Sequence, residues 1–193
     1  NLLVNRNNYQ SGNPTVFNTK QVDFDGTDDH LDLGNVLNLG AEDFSISMWV
    51  KMSGTSTLYI MGKYEDSGNR WYIKRDGNDK FNFQSNTGST NRVMFLSNTS
   101  IPADEWVHLL ISADRDGNVF GYINGVKDTS SGTTSANTID NTGDFTIGEL
   151  SSNYFEGEMS QVGMWNKALT ADEVSSLYNH GLPIDLTTNQ AAY

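Results

Sequence analysis

Apolar residues recur at every second position of this chain, in short runs closed by Gly, Asn and Asp. In "FSISMWVKM" (44–52), Phe44, Ile46, Met48 and Val50 share one face, with Ser45, Ser47, Trp49 and Lys51 on the other. Successive side chains of a strand point to opposite sides, so this period predicts strands with one buried face. "KFNFQ" places Phe81 and Phe83 together. "EWVHLLIS" turns Val107, Leu109 and Ile111 inward, and Trp106, His108 and Leu110 the other way. "VFGYING" opposes Val119 and Ile123 to Phe120 and Tyr122.

Turn chemistry separates the runs. "RDGN" occurs at 75–78 and again at 115–118. Asp-Gly between two strand-like runs predicts a hairpin in which Gly supplies positive φ, and Asn124-Gly125 predicts a third. Residues 128–144 are poor in apolar side chains and predict a mobile surface loop. One helix is written into "LTADEVSSLYNHG". Thr170 and Glu173 form a capping box, and Leu169 and Val174 are placed for a hydrophobic staple. Gly181 is expected to end the helix and Pro183 to prevent its resumption. Val174, Leu177 and Tyr178 form its apolar stripe.

Many short strands, tight hairpins and one late helix predict an all-β fold, an antiparallel β-sandwich of jelly-roll type. The 193 residues fit a single such domain, 1–193, with its core over about 21–181. The tail, 182–193, carries little core material and leads toward a further segment. A chain that begins at Asn1 rather than Met is expected to be a mature or excised piece of something larger. Cys is absent, which excludes disulfides and thiol chemistry. The formal net charge is −12, from 24 acids against 12 bases. Such a surface disfavours nucleic acid and anionic lipid, and suits divalent cations and neutral polymers. No apolar run has membrane-spanning length.

The stretch "DFDGTDDHLDLG" (23–34) gathers Asp23, Asp25, Asp28, Asp29 and Asp32. Either they hold a cation, or they are the polar rims of two strands and the turn between them. Paired catalytic carboxylates on one strand face are not evident, and neither "H-E-x-x-H" nor "G-x-S-x-G" occurs. His30, His108 and His180 are far apart in sequence and read as structural. The chain is therefore expected not to be an enzyme. Saccharide sites combine aromatic faces with a few fixed polar groups. Strand alternation turns one of Trp71 and Tyr72 away from the core, and Ile73 shares a face with Trp71, so Tyr72 is expected to be exposed. Tyr64, Arg70, Tyr72 and Tyr154 are the candidate ligand-binding residues. Trp49, Trp106 and Trp165 read as packing residues, and Phe120 and Tyr122 as a face open to cover by a loop or the helix. Asn98-Thr99-Ser100 is a glycosylation sequon, meaningful only in a eukaryotic secretory pathway.

The order "VDFDGTDDHLDLG", "FSISMWVK", "EWVHLLIS", "GYINGV", "FTIGE" and "YFEGEMSQVGMWNKALTADEVSSLYNHG" resembles the laminin-G-like modules of the concanavalin A-like superfamily. These are found beside secreted carbohydrate enzymes, adhesins and phage particle proteins. "MSQVGMWNKALTADEV" is also similar to the closing segment of pentraxins. The resemblance implies the sandwich, and it implies calcium bound near loops at one edge. Asp25, Asp28 and Asp29 match the early acidic turn. Gln161 or Ser160 stands where many members carry an acid in the late segment. Of the long acidic loop of pentraxins only Glu149 is left, which argues against a double calcium site of that kind.

These residues lead first to a non-catalytic module of an extracellular, cell-surface or virion protein. It is expected to bind a glycan or a glycosylated surface through loop residues at one rim, with calcium ordering the acidic turn. The alternative is a structural module mediating protein–protein contacts. A polysaccharide-active hydrolase or lyase ranks last.

Overall fold

The computed structural model describes residues 21–88, 90–133, 138–184 and 186. Its strands in chain order are β1 (Val22–Asp25), β2 (Leu31–Asp32), β3 (Phe44–Met52), β4 (Leu58–Tyr64), β5 (Asn69–Arg75), β6 (Lys80–Thr87), β7 (Thr90–Ser100) and β8 (Trp106–Ala113). There follow β9 (Asn118–Ile123), β10 (Val126–Lys127), β11 (Gly132–Thr133), β12 (Asp144–Ile147), β13 (Glu149–Leu150), β14 (Asn153–Tyr154) and β15 (Glu156–Trp165), then helix α1 (Ala171–Tyr178).

Two antiparallel sheets form the sandwich. One runs β1-β15-β3-β8-β9-β10, with β11 also on β9. The other runs β2-β12-β4-β5-β6-β7, and β13 and β14 form a separate hairpin. Alternation sorts the side chains as the sequence predicts. Phe44, Ile46, Met48, Val50, Phe81, Phe83, Val107, Leu109, Ile111 and Val119 all lie in the core between the sheets. Trp71 completes it, stacked on Phe145 at 5.7 Å between ring centroids and meeting Phe83 edge-on.

The outer face of the first sheet is sealed by α1. Leu110 and Tyr122 pack there with Leu169, Val174 and Leu177, and Phe120 and Trp165 join them half-buried. Trp49 stacks on Tyr178 at 5.8 Å, with His108 beside both. The capping box forms: Glu173 N–H donates to Thr170 Oγ1 and Thr170 N–H to Glu173 Oε2. The helix ends earlier than expected, because Asn179 takes the left-handed C-cap conformation at φ 47°. Asn is second to Gly in tolerating that region, since its short amide bonds locally. Gly181 instead closes a following 3-10 turn.

Two further expectations change. At the "RDGN" turns neither Gly77 nor Gly117 has positive φ. In the first, Asp79 carries it at φ 58°, while Asp76 and Asp114 cap their turns through side-chain carboxylates. Asn124-Gly125 does form the mirror-image hairpin turn, with φ 51° and 74°. The start of the loop after β10 is held by Asp128, which is 6% exposed and accepts from Asn98 N–H, Thr99 N–H and Ser130 N–H, while residues 134–137 of the expected mobile loop lie outside the described residues. Burial opposes ionisation of Asp128, but these bonds outweigh it and hold the carboxyl below the usual carboxylate range.

Candidate functional site

No helix covers the outer face of the second sheet among the described residues. Its floor follows from register. β5 presents Arg70, Tyr72 and Lys74 outward, two residues apart. Opposite them on β6 stand Asn86, Gln84 and Asn82, and on β4 Tyr64, Gly62 and Tyr59. A bulge at Ile60 separates Tyr59 from Met61 in the pairing, so Tyr59 joins the outward set while Ile60 and Met61 both enter the core.

The side chains interlock as alternating rings and cations. The Arg70 guanidinium lies 5.8 Å from the Tyr64 ring and 5.6 Å from the Tyr72 ring. Lys74 Nζ lies 5.5 Å from Tyr72 and 5.3 Å from Tyr59. Tyr59 meets Tyr72 edge-on at 5.2 Å. Tyr72 is therefore only 4% exposed, which corrects the expectation of an exposed ring. It does turn away from the core, but its neighbours on the same face enclose it. Burial pushes its hydroxyl pKa up. Asn82 and Asn86 are 6% and 8% exposed, yet among the described residues Oδ1 of each has no hydrogen-bond partner, and neither has Arg70 Nε. These atoms are also closed to solvent, so the surface a ligand would meet on this face is that of the partly exposed Tyr59, Tyr64, Arg70 and Lys74.

The β13–β14 hairpin walls this floor on one side. Leu150 lies over Gly62 beside Tyr72, where a Cβ on Gly62 would come within 2.8 Å of Leu150 Cδ1. Tyr154, at the other arm, lies 6.1 Å from His30. The structure thus brings Tyr64, Arg70 and Tyr72 together and sets Tyr154 apart, on the side of the acidic turn. The candidates on β4 and β5 are strand residues, not loop residues as expected. Tyr59, Lys74, Asn82, Gln84 and Asn86 were missed. The i, i+2 spacing of Arg70, Tyr72 and Lys74 was the signal that could have found Lys74.

In the acidic turn, one carboxylate oxygen each from Asp25, Asp28 and Asp29 lies within 4.8 Å of the others. Calcium takes oxygens at about 2.3–2.6 Å, so oxygens sharing one ion lie up to about 5 Å apart, and these three fit. Thr27 N–H donates to Asp25 Oδ1 and Asp25 N–H to Asp29 Oδ2, which fixes two of the carboxylates in place. Gln161 is not brought to them. Asp25 pairs with Glu156, and Gln161 lies five residues farther along β15, at a bulge, roughly 16 Å away at strand rise. On the outer face of the first sheet a cleft of about 250 Å³ is lined by Asp23, Asp25, Asp104, Glu156, Glu158 and Lys51. Lys51 is ion-paired with Glu158 at 2.9 Å. His108 is buried beneath α1, consistent with a structural part, and His30 and His180 are exposed.

Residues 25–175 match the family model described as the concanavalin A-like lectin/glucanases superfamily, in its laminin G form. Among curated proteins nothing matches. Among solved structures, a heptameric SAP-like pentraxin from Limulus polyphemus is 20% identical with TM-score 0.63, covering 82% of this chain and 81% of its own. Domain 4 of an extracellular arabinanase from Geobacillus stearothermophilus, solved with arabinotriose, is 23% identical with TM-score 0.54, covering 82% and 87%. The binding domain of Paraclostridial Mosquitocidal Protein 1 is 18% identical with TM-score 0.63, covering 83% of this chain. The chain spans 45% of that domain.

Proposed function

Because the chain belongs to the concanavalin A-like lectin/glucanases superfamily, we propose that it is a non-catalytic glycan-binding module of an extracellular, cell-surface or virion protein. Its site is the outer face of the second sheet. The observation that carries this reading is the row of partly exposed rings and cations on one sheet face, Tyr64 beside Arg70 and Tyr59 beside Lys74. Rings that pack on C–H surfaces, flanked by fixed acceptors and donors for hydroxyls, form a saccharide platform. The arabinotriose complex of the arabinanase domain supports a saccharide as the ligand class. The reading moves the site from the rim loops to a sheet face.

Glycan-array screening followed by calorimetry tests it. Tyr59→Ala and Asn82→Ala are expected to weaken binding at least tenfold each, with unfolding midpoints close to the parent's. Tyr59 is half-buried, so its removal leaves the core intact. Absence of any saccharide ligand from a broad array defeats the reading.

Asp25, Asp28 and Asp29 are proposed to hold one calcium ion that orders the turn beside Tyr154. Thermal unfolding in millimolar calcium and in EDTA is the check. Ligand at 100 times its dissociation constant adds about 2.7 kcal/mol, which raises the midpoint of a domain this size by roughly 5–10 °C. Asp28→Ala is expected to abolish the rise, since no hydrogen bond within the turn depends on its side chain. An unchanged midpoint leaves the five aspartates as solvated rims.

A further inference from the structure

We propose that the saccharide taken by this face is anionic, a polysaccharide whose units carry carboxylate or sulfate. This rests on the glycan-binding reading and narrows it.

Acids outnumber bases two to one in the chain, 24 against 12. Yet two of its few cations, Arg70 and Lys74, converge on one ring of the platform, each within 6 Å of the Tyr72 centroid. Salt bridges among the described residues include Lys51–Glu158, Arg75–Asp79 and Lys167–Glu173. Neither Arg70 nor Lys74 is in one. Tyrosine rings hold both side chains in place, but a ring face neutralises no charge.

The pair is also electrostatically uncomfortable. Burial lowers the Lys74 pKa, Asp76 opposes that, and the Arg70 charge lowers it further. An anion lying between the two cations offsets both the burial and the mutual repulsion. Arg70 is partly exposed, and the N–H groups of a guanidinium are suited to anionic oxygens. Beside them on β6 stand Asn82 and Asn86, neutral amides whose oxygens are acceptors of the kind sugar hydroxyls bond. Charged donors at the centre with neutral acceptors alongside describe a hydroxylated ligand that carries negative charge. A neutral glycan leaves the two cations uncompensated.

The net charge of −12 makes this discriminating, because such a protein repels polyanions everywhere else. The test is calorimetric titration with oligogalacturonate, with a sulfated dextran oligomer and with neutral dextran oligomer, at low and moderate salt. The expected result is binding to one or both anionic ligands, at least tenfold tighter than to the neutral one, and weakened by salt. The two anionic arms separate carboxylate from sulfate. Arg70→Gln and Lys74→Gln each lower that affinity about tenfold. Lys127→Gln, a cation over Phe120 on the other sheet, leaves it unchanged. Circular dichroism and the unfolding midpoint confirm that each variant is folded. Equal or tighter binding of neutral saccharides, or anion binding that survives Arg70→Gln with Lys74→Gln, overturns the inference while the glycan-binding reading stands. No binding to any saccharide, here or on the array, overturns both.

Discussion

Lowering the pH from 7 to 4 will remove about 3 kcal/mol of stability through His108 alone. This side chain is 1% exposed, with Nε2 2.8 Å from Ser47 Oγ, Nδ1 without a partner among the described residues, and Trp49 and Tyr178 against its ring. Burial pushes its pKa down to about 3. In the unfolded chain the imidazole takes its proton near pH 6.5. Between pH 6.5 and 3 the unfolded chain therefore binds a proton that the native protein refuses. Stability from this group is full above pH 6.5 and falls as pH drops toward 3, at about 1.4 kcal/mol per pH unit. Below about pH 4, Asp128 adds to the loss in the same direction, because its carboxyl is held below the usual range. Urea unfolding at pH 7, 5.5 and 4 reads the slope, and His108→Gln, which still reaches Ser47, is expected to flatten it by one proton. Identical slopes for parent and variant would sink this account. Since His108 lies under α1, the native state that finally protonates should lose the Trp49–Tyr178 stack first, visible as a change in tryptophan fluorescence.

Trp71→Ala is expected to cost about 3–5 kcal/mol, the usual range for deleting a large core aromatic. The indole is fully buried between the sheets, stacked on Phe145 and edge-on to Phe83. Its Nε1–H has no partner among the described residues, so the side chain contributes as an apolar plate and not as a donor. Trp71→Phe keeps a plate on Phe145 and loses no bond, and should cost less than about 2 kcal/mol. A chemical denaturation series on both variants separates these outcomes. A Phe variant as damaged as the Ala variant would show that the indole makes a bond the geometry does not contain.

The faces of the long strands were legible because each carries several residues at a strict two-residue period. Phe44, Ile46, Met48 and Val50 are all in the core, and Trp49 is on the far side under α1, as alternation required. The helix start was equally legible, because a capping box is local. What alternation could not give was anything set by a break in period or by contact between distant segments. Tyr59 reached the proposed binding face through a bulge that leaves no mark in "LYIMGKY". Tyr72 was turned outward as expected and then enclosed by Arg70, Lys74 and Tyr59, contacts that involve a neighbouring strand. The "RDGN" turns were read as needing glycine freedom, whereas aspartate carboxylates cap the turns instead. Of the candidate site, three strand residues were named and five, Tyr59, Lys74, Asn82, Gln84 and Asn86, were missed, because a sheet face is assembled across strands.

The pairing of β1 with β15 has a temporal consequence. Asp23 faces Glu158, so the first described strand cannot be placed until nearly the whole sandwich has been synthesised. At roughly 5–20 residues per second, β1 waits between about 7 and 27 s for its partner to leave the ribosome. Until then β3, which pairs with β15 on one side and β8 on the other, is an edge. Contacts this distant in sequence slow folding, because a long loop must close before they form. A nascent chain stalled before residue 156 should therefore remain protease-sensitive, and protection should arise only after β15 emerges.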